Sequence, residues 1–222
     1  MIALVRGALL DAWAVVQPIE CLGCAAPDRS ICPACTAGLA AQRPVGVRCD
    51  VDPGVPVVVA ADYDSVAGRA LLALKDDGRI DAARRLAPLL RAALAAALAG
   101  CAPGVEAAWV PSRPAALRRR GFDPVLELLI AARVPGSRVL AARWSAPSQK
   151  SLGRAERIAG ADRLHARGRL RGRRFVLVDD VATTGATLAA GAGAIRAAGG
   201  ELVAAVALCA PERGRRANSR PL

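Results

Sequence analysis

Short continuous apolar runs alternate along this chain with stretches whose apolar residues recur at helical spacing. Val57-Val58-Val59-Ala60-Ala61 is an unbroken run, as a strand buried on both faces requires. It follows a Pro-, Gly- and Val-rich stretch, Pro44 to Pro56, that reads as a linker. Ser65 to Leu74 and Asp81 to Leu98 read as helices, Ala107 to Val110 as a strand, Pro124 to Arg133 as a helix and Arg138 to Ala142 as a strand. The pattern is clearest near the end. Arg174-Phe175-Val176-Leu177-Val178 predicts a strand, Ala186 to Ala198 a helix stopped by Gly199-Gly200, and Leu202 to Leu208 another buried strand. Alternation of this kind predicts an α/β fold with a mainly parallel sheet flanked by helices.

The pattern divides the chain into an N-terminal helix with a cysteine-bounded segment (1–43), the linker (44–56), a main domain (57–211) and a basic tail (212–222). Ile2 to Val16 reads as an amphipathic helix; Arg6 and Asp11 interrupt the run, and no small-residue cleavage site follows it. No later stretch reaches the roughly 18 uninterrupted apolar residues of a membrane span. Arg91 breaks one candidate, and Arg196 and Glu201 break another, so the expectation is a soluble, cytoplasmic protein.

With 222 residues, 54% of them hydrophobic, the chain has enough apolar surface for a full core. Alanine supplies much of that fraction and aromatics only 3%, which favours closely packed helices and nearly excludes a surface of stacking rings. The net charge of +12 suits a polyanionic partner such as a pyrophosphate-bearing substrate, a nucleic acid or an acidic membrane surface. Biased codon usage would give the same arginine content, so only locally clustered arginines carry an argument.

Four of the seven cysteines fall as Cys21-x2-Cys24-x7-Cys32-x2-Cys35. Each Cys-x-x-Cys turn aims two thiolates at one point, and two turns complete the four-coordinate shell of a closed structural zinc site. Two disulfides or a thiol redox pair are the alternatives; the first suits an exported chain, and the second normally opens a helix within a βαβ unit. The segment before Leu39 has few large apolar residues, so metal would have to order it. Cys49, Cys101 and Cys209 read as core or loop residues, and His165, the one histidine, as an exposed helix residue.

Ligands of open α/β sheets sit beyond the carboxyl ends of the strands, where a loop enters the next helix. Asp179-Asp180 follows the most apolar strand, and two adjacent carboxylates there can accept hydrogen bonds from vicinal hydroxyls. Thr183, Thr184, Gly185 and Thr187 then put hydroxyls and a glycine at a helix start, where free backbone N–H groups cradle an anion. A diol reader beside a phosphate cradle specifies a phosphorylated pentose. The plainer reading is that the two acids only cap the helix, which needs neither the second threonine nor the glycine.

The segment from Val176 to Leu188, with Asp179, Asp180, Val181, Ala182, Thr183, Thr184, Gly185, Ala186 and Thr187 as its 5-phosphoribosyl loop, resembles the PRPP-binding signature of type I phosphoribosyltransferases. Four further places resemble the ComF, or competence-type, branch of that family: the cysteine hooks, Tyr63 to Gly78, Val110 to Phe122 and Gln149 to Arg157. The resemblance implies the type I phosphoribosyltransferase fold with a small N-terminal zinc-binding segment. It implies that Lys75, Ser112, Arg113, Gln149, Arg154 and Arg157 face pyrophosphate, the last three on a mobile loop, and that Asp179, Asp180 and Arg113 are catalytic. A solvated lysine is the other reading of Lys75, and a solvated face the other reading of Arg118-Arg119-Arg120.

Ile158-Ala159-Gly160 stands where the family often has an asparagine, and no second cysteine hook surrounds Cys49. As an enzyme of the glycosyltransferase class, the chain would take Mg²⁺-PRPP and transfer the phosphoribosyl group to a nitrogen acceptor with release of pyrophosphate. The alternative from another class is a non-catalytic DNA-uptake protein that works with competence machinery and holds single-stranded DNA or nucleotides on its arginines. Scarce aromatics speak against a general single-strand binder.

Overall fold

The computed structural model describes residues 19–142 and 164–211. The N-terminal helix, the basic tail, and Gln149, Arg154 and Arg157 therefore lie outside the described residues. The elements are α1 (Pro33–Ala40), β1 (Val45–Val47), β2 (Val57–Asp62), α2 (Val66–Asp76), α3 (Asp81–Ala97), β3 (Val105–Trp109), α4 (Pro114–Arg120), α5 (Pro124–Ala131), β4 (Gly136–Ser137), β5 (Leu140–Ala142), β6 (Leu164–Ala166), β7 (Arg174–Val181), α6 (Ala186–Ala197) and β8 (Glu201–Ala210).

Six strands form the main sheet in the order β1-β2-β8-β7-β3-β4, parallel except for the edge pair β1–β2. The continuous apolar runs are explained by what covers them, because successive residues of each central strand enter opposite cores. Val58, Ala60, Val176, Val178 and Val206 pack with α2, α3 and α5 on one face. Val57, Val59, Phe175, Leu177 and Ala205 pack with Leu188, Ala192 and Ile195 of α6 on the other. Phe175 is fully buried, and a side chain of that size contributes roughly 2–3 kcal/mol by leaving water. No helix among the described residues is long and apolar enough to cross a membrane.

Local signals set the helix ends. Ser65 caps α2, its Oγ accepting from Ala67 N at 3.1 Å, and Asp123 caps α5 by accepting from Val125 N at 3.1 Å. The run from Arg138 to Ala142, expected as one strand, is not one. A turn in which Val139 N donates to Ser137 O at 2.8 Å separates β4, at the edge of the main sheet, from β5. β5 pairs antiparallel with β6, and that pairing puts His165 on a strand opposite Ala141 rather than on a helix. The stretch expected as a linker carries β1, whose Val45 to Val47 pair with Val59 to Val57.

Among the described glycines, Gly68, after the β2–α2 connection, leaves the least room for a side chain. A Cβ on Gly68 would lie 1.7 Å from the Tyr63 carbonyl oxygen, a backbone atom that cannot rotate away. Gly68→Ala is therefore expected to lower the unfolding free energy by about 1–3 kcal/mol, read as a lower urea midpoint with unchanged slope.

Candidate functional site

β7 runs through the middle of the sheet and carries Asp179 and Asp180 to its carboxyl end. The central position buries Asp179, which is 8% exposed, while Asp180 reaches the surface. Asp179 Oδ1 accepts from Asp180 N at 2.8 Å, and Lys75 Nζ lies 3.0 Å from Asp180 Oδ2. Burial first, then the Asp180 charge, push the Asp179 carboxyl up to about 8; Asp123 adds to this, and the Asp180 N–H and Lys75 oppose it. Asp179 thus keeps its proton to higher pH than an ordinary carboxyl, and in that form it can donate as well as accept.

Beyond Val181 the chain turns into α6. Ala182 is buried and donates its N–H to Cys209 O at 2.9 Å, whereas Thr183, Thr184 and Thr187 are exposed. Gly185 precedes α6 with φ of +82°, and a Cβ there would lie 2.3 Å from Cys49 Cβ and 2.6 Å from Val51 O. Val51 N in turn donates to Thr184 O at 2.8 Å. Glycine is thus required both by its backbone angle and by the segment pressed against it. Thr183 and Thr184 thus lie exposed just before this 12-residue helix, and Thr187 in its first turn.

The loop after β3 stands alongside. Val110 N donates to Val178 O at 2.9 Å, which holds the loop beside β7. Ser112 N donates to Asp123 Oδ2 at 2.8 Å, and the exposed Arg113 precedes α4. At the far end of α4, Arg120 Nη2 lies 4.0 Å from Asp76 Oδ1, and its buried Nε has no partner. The structure thus brings Asp179, Asp180 and Lys75 together, with Ser112 and Arg113 on the neighbouring loop. Asp123 escaped the sequence reading; an aspartate just before Pro124 is a helix-cap signal, but its second bond, to Ser112, is not local.

The four cysteines do converge. Their sulfur atoms all lie within 4.8 Å of one another, and Cys24 Sγ is 3.7 Å from Cys32 Sγ. Thiolates about 2.3 Å from one tetrahedral ion stand about 3.8 Å apart, so the set fits a metal such as zinc. Burial works to raise the Cys21 thiol, but N–H donors from Gly23 and Cys32 outweigh it and bring it down to about 6. Burial and the neighbouring thiols push Cys35 up to about 12.

Residues 119–221 match the family model described as phosphoribosyl transferase domain, just under half of the chain. The match takes in β7, the site loop, α6 and β8, while the cysteine cluster, Lys75, Ser112 and Arg113 precede it. Over this span the chain is similar to phosphoribosyl transferase domains, and the match supports a function of the phosphoribosyl-transfer type. No curated protein matches the chain.

Two measurements follow from the charges. The folded pKa of Asp179 exceeds its unfolded value, so its contribution to stability is full below about pH 4 and is lost as pH rises through about 8. Asp179→Asn is therefore expected to be more stable than the parent at pH 9, by at least about 1 kcal/mol, with the difference shrinking toward pH 4 in thermal melts. The cysteine cluster is expected to bind one zinc per chain with release of protons, measured by calorimetry in buffers of different ionisation enthalpy. Cys32→Ser should weaken zinc binding at least tenfold.

Proposed function

We propose that the chain binds PRPP with Mg²⁺ and transfers the 5-phosphoribosyl group to a nitrogen acceptor. The observation that carries this reading is the closeness in the chain of a buried acid, Asp179, its partly exposed neighbour Asp180, and a helix start with three exposed threonines. Neutral Asp179 donates to one ribose hydroxyl and Asp180 accepts from the other. Thr183, Thr184, Thr187 and N–H groups of the turn from Thr183 to Thr187 take the 5-phosphate.

In this reading Ser112 and Arg113 face the pyrophosphate, together with Gln149, Arg154 and Arg157, which lie outside the described residues. The C1′–O bond to pyrophosphate breaks and a C1′–N bond forms, the acceptor losing its proton. The residues contribute charge stabilisation: Arg113 answers negative charge on the leaving group, and Asp180 answers positive charge near C1′. Mg²⁺ would be held chiefly by oxygens of the ligand itself, with Asp180, already paired with Lys75 at 3.0 Å, nearby. When bound, the ion supplies further neutralisation of the pyrophosphate.

Calorimetric titration of the purified protein with PRPP in Mg²⁺ tests the reading. Micromolar binding is expected, weakened at least a hundredfold in Asp179→Asn/Asp180→Asn; absence of binding to the parent protein rules the donor out.

A further inference from the structure

Helix α2 spans the distance between the cysteine cluster and the two ligand loops. At its start, Val66 packs against the cluster formed by Cys21, Cys32 and Cys35. A Cβ on Gly23 would lie 2.7 Å from Val66 Cγ1, and one on Gly38 would lie 3.1 Å from Val66 Cγ2, so the two glycines admit the valine. Arg69 Nε, one turn on, donates to Gly23 O. At its end, about 14 Å away at 1.5 Å per residue, two adjacent residues reach in different directions. Lys75 engages Asp180 of the β7 loop at 3.0 Å, and Asp76 engages Arg120, at the end of the helix that follows Ser112-Arg113, at 4.0 Å.

The cysteine segment is also tied down beyond α2. Ser30 Oγ donates to Asp81 Oδ2 at 2.7 Å, and Arg79 Nη1 donates to Glu20 O at 3.1 Å while pairing with Asp81 at 2.8 Å. The same metal-binding segment therefore contacts the start of α2 and the turn that leads from α2 into α3. That segment brings only Leu22 and Leu39 as large buried apolar residues to the main core, so the metal must supply much of its order.

We propose that the last turn of α2 positions the phosphoribosyl site, Lys75 orienting Asp180 and Asp76 orienting Arg120, and that metal in the cysteine cluster sets the position of this turn and thereby tunes ligand affinity. The inference rests on the phosphoribosyl reading above. Lys75 and Asp76 are positioning residues: they act through Asp180 and Arg120. Linkage makes the coupling reciprocal, so a bound phosphoribosyl ligand also raises the affinity for the metal by the same factor.

The test uses the zinc-loaded chain and the same chain after treatment with a zinc-selective chelator that leaves Mg²⁺ in place. Without any phosphoribosyl compound, hydrogen exchange in peptides covering 73–77 and 178–186 is expected to quicken several-fold on zinc removal, with β8 unchanged. PRPP affinity is expected to fall roughly 5–50-fold, within the usual span of coupling between sites. Lys75→Ala/Asp76→Ala should show a comparable fall with zinc retained and little further response to the chelator, while Lys75→Arg recovers most of the affinity.

Unchanged exchange at 73–77 and 178–186 after zinc removal overturns the proposal, as does a double variant that still responds to the chelator in full. If the zinc-loaded chain binds no PRPP, the phosphoribosyl reading fails on its own, and the exchange measurement still decides whether the helix couples the two regions. If chelation unfolds the whole domain, Val66→Ala with zinc retained takes its place, with faster exchange expected in the same two peptides.

Discussion

Burying a carboxylate at the end of the central strand is the constraint around which the rest of the site is arranged. Asp179 is the sole buried charged or polar residue among the described ones, and desolvation keeps its proton on to higher pH than an ordinary carboxyl. An isolated acid in that position lowers stability once ionised. It is tolerated because the neighbouring groups share the load: the Asp180 N–H donates to it, and Lys75 offsets the charge of Asp180. A buried acid kept at a strand end costs stability, the kind of local conflict found where a structure serves a purpose other than its own stability.

The same logic explains why distant parts of the chain meet here. The β7–α6 turn is narrow because Cys49 and Val51 press on Gly185, and they are held in place in turn by α6, whose Arg196 donates to Pro53 O at 2.8 Å and Gly54 O at 3.0 Å. Val51 N also satisfies the Thr184 carbonyl, which would otherwise compete for a ligand's side of the loop. The segment between β1 and β2 thus forms one wall of the site. The cysteine segment, by contrast, packs around α2 and the start of α3.

What the sequence makes legible is what depends on neighbours in sequence. β7, α6 and β8 could be read because strands buried on both faces are continuously apolar and Gly199-Gly200 ends the helix. The cysteine cluster could be read because spacing within a short segment nearly determines its geometry. The shortening of the Arg138 to Ala142 strand to Leu140–Ala142, in a second sheet, could not, since it depends on β6 arriving from beyond residue 163. Nor could the Lys75–Asp180 pair, whose partners are far apart in sequence, or the second hydrogen bond of Asp123. Pro44 to Pro56 looked like a linker because its prolines and glycines were visible and its contacts with Val59 and Thr184 were not.

Net charge was the least informative of the sequence features, and the structure gives the reason. Many arginines are engaged by the fold itself. Arg173 holds Glu106 at 2.6 Å and lies 5.0 Å over the Phe175 ring, Arg174 pairs with Glu201, and Arg79 pairs with Asp81. The hydrogen bonds from Arg173, with another from Ser137, take the Glu106 carboxyl down to about 2. The contacts of Arg173 and Arg174 tie neighbouring strands together near the amino ends of β3 and β7, the end of the sheet opposite the site. Arg113, in contrast, is exposed beside the β7 loop and makes no ion pair among the described residues. The charge relevant to an anionic ligand is therefore the part the fold leaves unspent at the carboxyl edge, which a count over the whole chain overstates.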